Sequence, residues 1–249
     1  VIRGVTFDLW DTLVVDDSDE VARARMGLPT KKVARELAFA EEVRRHHAVE
    51  RGAAVAAWGE ATAWFQQQWK VEHRTPEVAA RVDHALTRLG LGRTPGFDAL
   101  VHELSTMEVE IPPDPVPGIK EALAELHGRW PLGIVSDAIV TPGWGLRELL
   151  RRYDLLRFFD HLVFSDEVGA SKPAPAVFHA AAAGLGVPVT GLVHVGDREA
   201  NDVAGPHAVG ARAILITAAV DRGSEHTAAD AVCRDAAELL DILTELESA

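Results

Sequence analysis

A chain of 249 residues, 47% hydrophobic and 25% charged, has the length for one large core or for one core carrying a substantial insertion. Its formal net charge of -13 excludes nonspecific attachment to nucleic acid or to an anionic membrane surface, since both need a positive face, but leaves room for a local basic pocket. A single cysteine, Cys233, excludes an internal disulfide framework. No run approaches the roughly 18 apolar residues of a membrane span and the start lacks a signal-peptide pattern, so the chain is expected to be cytoplasmic.

The first apolar run, Val5, Thr6 and Phe7, ends in Asp8 and passes into Leu9, Trp10, Asp11, Thr12 and Leu13. A central strand of an open α/β sheet delivers a functional group to its C-terminal edge in this way, so Asp8 is the first candidate for chemistry. Residues 16–20 read as an acidic exit loop. From about residue 16 to 111 the composition turns to Ala, Glu, Arg and Leu with few β-branched runs, which predicts an all-helical block. Its helices are expected over residues 30 to about 51 and 52 to about 71, between Thr75–Pro76 as cap and first residue and Gly90 as stop, and over 96–109. In the second of these, Trp58, Ala61, Phe65 and Trp69 share a face and are read as the core of the block, an aromatic lid over the site being the other reading.

The proline-rich stretch 112–118 reads as the hinge that returns the chain to its first strand's domain, with residues 16–19 as the outgoing hinge. Strands and helices then alternate: helix 119–129, strand 132–135, helix 145–152, strand 161–164, helix 174–184, strand 192–195, helix 200–209, strand 211–216 and a closing amphipathic helix 235–246. Short apolar strands between helices imply a mainly parallel sheet covered on both faces. The expected architecture is a doubly wound, Rossmann-like core over residues 1–15 and 112–249, with an all-helical domain inserted over 16–111.

Polar residues gather at the strand ends. The second strand ends in Ser136 and Asp137; the loop after the third carries Ser171, Lys172 and Pro173; the fourth runs into Gly196, Asp197, Arg198, Glu199, Ala200, Asn201 and Asp202. In a parallel sheet these ends face one side and can converge with Asp8. Carboxylates hold a hard divalent cation through oxygen, a lysine and a hydroxyl offset charge on a transferring group, and one carboxylate attacks. His194, inside the fourth strand, reads as core packing.

This pattern resembles the haloacid dehalogenase-like hydrolase superfamily. Asp8, Asp11 and Thr12 match its first motif, Ser136 its second, Lys172 with Pro173 its third, and Gly196, Asp197, Asn201 and Asp202 its fourth. The resemblance implies that Asp8 is the nucleophile and that Mg2+ is held by Asp8, Asp197 and the backbone carbonyl of Trp10, with Asp202 in support. It further implies that Ser136 and Lys172 bind the transferred group, with Asp137 and Trp10 beside the substrate, and that the helical block is a cap that closes over the site.

One position departs from the family's phosphatases. Where they carry a second Asp that protonates the leaving group, this chain has Trp10, whose indole only donates a hydrogen bond. General acid and base help is worth about 100 to 10,000-fold, so an alkyl phosphate is expected to turn over slowly. The neighbouring Asp11 is expected to point elsewhere. The leading reading is a Mg2+-dependent phosphohydrolase of a small anionic substrate. Trp10 also fits a 2-haloacid dehalogenase-type hydrolase, because dehalogenases of the family carry an aromatic residue there, although they generally lack the acidic pair. A weakened ligand-binding or regulatory protein is the third reading. The oligomeric state is left open.

Overall fold

The computed structural model describes residues 1–248; Ala249, the last residue of the expected core, lies outside them. Six strands form one parallel sheet: β1 (Gly4–Phe7), β2 (Leu132–Ser136), β3 (His161–Phe164), β4 (Leu192–Gly196), β5 (Arg212–Ile216) and β6 (Ala231–Cys233), in the order β3-β2-β1-β4-β5-β6. Every residue of β1, β2 and β4 is buried, as expected of near-continuous apolar strands covered on both faces. The strand order reverses between β1 and β4, the place where open α/β sheets bind ligands. Register sets the level of the functional ends: Phe7 pairs with Ile134 on one side and Val195 on the other. Asp8 N–H donates to the Val195 carbonyl at 2.8 Å, so Asp8 is held at the reversal.

The helical block comprises α1 (Asp19–Arg25), α2 (Lys31–His46), α3 (Arg51–Lys70), α4 (Val78–Arg88) and α5 (Phe97–Glu110). Phe39, Val43, Trp58, Val82, Leu86 and Leu104 are among the residues of its own hydrophobic cluster, separate from that of the sheet. Full burial of side chains of this size contributes about 1.5–3 kcal/mol each. The outgoing and returning connections run side by side. Val15 N–H donates to the Asp114 carbonyl and Val116 N–H to the Leu13 carbonyl, at 2.8 and 2.9 Å, and Ser18 Oγ accepts from Asp114 N–H at 2.7 Å.

The remaining helices are α6 (Ile119–Leu126), α7 (Gly143–Arg152), α8 (Ser165–Val168), α9 (Pro175–Leu185), α10 (Gly205–Ala208) and α11 (Leu239–Ser248). Local signals misplaced several boundaries. Asp19 and Glu20, read as loop, open α1, where acidic side chains suit a helix N-terminus. Thr75 does not cap α4, which begins after Glu77; its hydroxyl instead donates to Ser165 Oγ at 2.7 Å, a tertiary contact that outcompetes the local cap. Residues 200–209 are not one helix: a π-helical turn, Glu199–Ala204, precedes α10. The strand β6 was not anticipated, being only three residues long.

Candidate active site

Asp8 lies one residue past β1. Its turn is held by Leu9, whose carbonyl accepts from Leu13 and Val14 N–H at 2.8 and 3.0 Å. Lys172, in the loop after α8, reaches Asp8 Oδ1 at 2.7 Å and Asp202 Oδ1 at 2.6 Å. Burial alone would lower the lysine's pKa, but Asp202, Asp8 and Asp137 outweigh it and hold Lys172 charged well above the usual range. The π-helical turn after β4 closes Asp202 back toward Asp197, with Asp202 N–H donating to the Arg198 carbonyl at 2.7 Å. Gly196 is required by the same approach, since a Cβ there would stand 2.4 Å from Asp202 Cγ.

Carboxylate oxygens of Asp8, Asp197 and Asp202 all lie within 4.8 Å of one another, a grouping able to hold a metal ion. Their states differ with their surroundings. Asp202 accepts from Lys172, from His194 Nε2 at 3.2 Å and from Arg198 N–H at 2.9 Å; these donors overcome burial and keep its carboxyl below the ordinary range. Burial, reinforced by Asp8 and Asp202, lifts Asp197 to about 7. Asp197 Oδ1 is shut off from solvent with no hydrogen-bond partner among the described residues, the Nε of Arg198 standing 3.8 Å away. Thr12 Oγ1 and Ser136 Oγ are likewise buried and unpartnered. Buried polar atoms are nearly always paired, so three orphans at adjoining sheet-edge segments indicate groups shaped for something bound there.

Three residues had roles the sequence did not announce. His194 is fully buried: its ring links Thr6 Oγ1, 2.9 Å from Nδ1, to Asp202, and burial keeps it neutral. Because Asp202 can only accept, the proton sits on Nε2 and Nδ1 accepts from Thr6. Its strand position offered only the apolar context that gave the packing reading. Arg222, in the loop after β5, spans two carboxylates, with Nε 2.5 Å from Asp197 Oδ2 and Nη2 2.5 Å from Asp11 Oδ2. No spacing signal links it to the first strand. Trp69 departs from the core reading of its stripe: Trp58 and Ala61 join the block's cluster, but Trp69 Nε1–H donates to Asp137 Oδ2 at 2.8 Å across the cleft. The other Asp137 oxygen accepts from Lys172 N–H at 3.0 Å, and burial raises this carboxyl to about 6.

A cleft of about 460 Å³ opens between the sheet edge and the helical block, lined by Asp8, Trp10, Asp137 and Asn201 on one wall and by Lys31, Arg35 and Trp69 on the other. On the helical wall Lys31 Nζ lies 2.8 Å from Asp19, 3.2 Å from Asp17 and 3.3 Å from Glu108, which also pairs with Arg35 at 3.0 Å and accepts from the Thr141 hydroxyl. Of the expected residues, Asp8, Trp10 and Asp137 line this cleft; Lys172 and Asp202 join it through the buried contacts of Lys172 with both Asp8 and Asp202, and Ser136 and Asp197 are buried at their strand ends. Asp11 does not serve the cleft: φ there is +55°, and its carboxylate is taken by Asp16 N–H and Arg222.

A buried carboxylate, lysine and acidic pair at the reversal of a parallel sheet define a hydrolase-type α/β site. The family model of the haloacid dehalogenase-like hydrolases matches residues 2–210, and the chain belongs to that family and is a hydrolase. Among its relatives, a glyceraldehyde 3-phosphate phosphatase of Methanopyrus kandleri is 28% identical over 229 residues, covering 90% of this chain and 85% of that protein. The haloacid dehalogenase-like hydrolase domain-containing protein 3 of Xenopus laevis is 38% identical over 101 residues, 41% of this chain and 40% of that one. The fold resembles a phosphatase of the family from Thermococcus onnurineus (TM-score 0.64, 22% identity, 97% and 98% of the two chains). It resembles equally a 2-haloacid dehalogenase from Pseudomonas syringae (TM-score 0.63, 21% identity, 99% and 100%). No helix among the described residues is long and apolar enough to cross a membrane.

Proposed function

We propose that the protein is a Mg2+-dependent phosphohydrolase of a small anionic substrate, with Asp8 as nucleophile and the helical block of residues 16–111 as a cap over the core. The observation that carries the reading is Asp197 Oδ1, a buried carboxylate oxygen without a donor beside two further carboxylates. A cation supplies the partner it lacks, and oxygen donors of this kind suit Mg2+. Asp8, Asp197 and the Trp10 carbonyl would hold the ion, which neutralises charge on the transferring group. Asp202, with both oxygens already accepting, supports through Lys172 and the π-helical turn rather than as a ligand.

Burial raises the Asp8 carboxyl, and Lys172 opposes that shift and orients the oxygen it touches. The unpartnered Ser136 hydroxyl at the end of β2 is the candidate donor to a phosphoryl oxygen. Attack by Asp8 forms an aspartyl-phosphate as the bond to the leaving oxygen breaks, and water then releases phosphate. Cap motion about the paired connections at 16–19 and 112–118 would admit substrate and exclude water. The phosphatase names of the relatives, an archaeal glyceraldehyde 3-phosphate phosphatase and a phosphoglycolate phosphatase of Cereibacter sphaeroides, support a short phosphorylated carbon acid or aldehyde as the substrate class.

Trp10 favours a second reading, carbon–halogen hydrolysis, since halide leaves without a proton. One comparison separates them: release of phosphate from acetyl phosphate and an aryl phosphate, and of halide from a 2-haloacid, each with Mg2+ or chelator, for the parent and for Trp10→Asp. Phosphate release that chelator abolishes, and that Trp10→Asp raises, is the expected result. Chelator-resistant halide release with no action on any phosphate overturns it.

A further inference from the structure

Phosphoryl transfer to Asp8 leaves one requirement unmet by the family-matched positions: a proton for the leaving oxygen, which Trp10 cannot supply. The carboxylates that line the cleft beside Asp8 are Asp16, Asp17, Glu20, Glu108 and Asp137. Four of them are committed. Glu108 is paired with Lys31 and Arg35, and these cations, with the Thr141 hydroxyl, overcome burial to keep it ionised. Asp137 accepts at both oxygens, from Trp69 and from Lys172 N–H. Glu20 Oε1 accepts from Lys31 N–H at 2.8 Å. Asp17 is exposed and pairs with Lys31. Asp16, exposed like Asp17, differs in its pairing: its backbone N–H is fixed on Asp11 Oδ1 at 3.0 Å, and its carboxyl has no hydrogen-bond or ion-pair partner among the described residues.

We propose that Asp16 supplies the general acid and base function that Trp10 lacks; this rests on the phosphohydrolase reading above. Asp16 sits six residues after Trp10 in the same turn-rich segment, tethered through Asp11 to the Asp8 turn and open to the same cleft. The groups facing it are Asp17 on its own loop, Glu108 on α5 and Asp11 on the turn, opposed by the ammonium of Lys31 on α2. Although the side chain stays open to solvent, partial desolvation at the cleft and then this excess of negative charge raise the Asp16 carboxyl to about 6, toward the range of a group that donates near neutrality. In the first half-reaction the P–O bond to the leaving group breaks, the Asp8–phosphorus bond forms, and the proton passes from Asp16 to the leaving oxygen. In the second, the Asp16 carboxylate takes a proton from the water that attacks the aspartyl-phosphate, releasing phosphate and regenerating both carboxyl groups.

The test is Asp16→Asn in the full chain with Mg2+, assayed on glycerol phosphate and on 4-nitrophenyl phosphate, with Glu121→Gln on the exposed face of α6 as control and circular dichroism to check folding. Expected is a loss of about 100 to 10,000-fold on the alkyl phosphate. With the aryl ester, whose leaving group needs no proton, the variant releases about one equivalent of nitrophenolate in a burst and then turns over slowly, because only the second half-reaction is impaired. Glu121→Gln shows neither effect. Equal losses on both esters without a burst, as a purely structural role would give, or no loss at all, overturn the assignment of Asp16 while leaving the phosphohydrolase reading in place. Absence of phosphate hydrolysis by the parent overturns both.

Discussion

Two buried lysines, one at the sheet edge and one in the helical block, sit in settings that teach different things. Lys172 rests between Asp8 and Asp202 at the sheet edge; Lys31 rests among Asp17, Asp19 and Glu108 on the helical wall. Both are held charged above the ordinary lysine range because carboxylates outweigh the cost of burial. Lys172's neighbours come from strand ends whose level is fixed by parallel register, and they leave Asp197 Oδ1 and Ser136 Oγ free. Lys31's neighbours come from α1, α5 and the loop before α1, and the cluster ties these segments to one another and, through Thr141, to the core. One cluster leaves buried polar atoms without partners, the other pairs its charges and ties the helical block together and to the core.

The largest effect that would sharpen this division is expected from Lys172→Met. It removes the cation shared by two buried carboxylates and leaves Asp8 without its ion-pair partner, costing about 3–5 kcal/mol in urea unfolding and abolishing acetyl phosphate turnover. Lys31→Met should cost about 3 kcal/mol by the same measurement, yet keep kcat on acetyl phosphate within about tenfold, since Lys31 touches none of the sheet-edge groups. Equal loss of turnover in the two variants would break the comparison. Trp69→Phe keeps a ring in the cleft but strips Asp137 Oδ2 of its donor. A loss of about 1–3 kcal/mol is expected, read as a fall in Tm by calorimetry. An unchanged Tm would mean that the cross-cleft hydrogen bond adds no stability.

The smallest effect is in pH. The Asp16 carboxyl is raised from 3.8 to about 6 by partial desolvation and then by Asp17 and other neighbours, so between these values the folded protein keeps a proton that the unfolded chain releases. The stability associated with Asp16 is therefore full below about pH 4 and is lost as pH rises through 6. Asp16→Asn should flatten that segment of the Tm–pH curve relative to the parent. Parallel curves over pH 4–7 would show that Asp16 titrates alike in both states.

Much of the sheet and its mouth could be read from residue order. Asp8 after Val5–Phe7, Ser136 at the end of β2 and Asp197 after β4 each follow a short apolar run, and a parallel sheet puts such ends on one edge whatever the details of packing. The helical character of residues 30–109 was equally plain from composition. By contrast, the Trp69–Asp137 hydrogen bond, the Arg222 bridge from Asp197 to Asp11 and the His194 link between Thr6 and Asp202 join residues 68, 25, 211, 188 and 8 positions apart. The short β6 and the π-helical turn also escaped periodicity, because neither is long enough to show it.

The sequence by itself therefore determined the parallel α/β core, the helical block and the residues gathered at the strand ends, because these follow from local periodicity and from a rule of sheet topology. Only the tertiary structure decided which carboxylate is paired, which is left free and which face of α3 meets the core. Those outcomes depend on distances between segments far apart in the chain, and charge pairing in a buried cleft turns on a few ångströms.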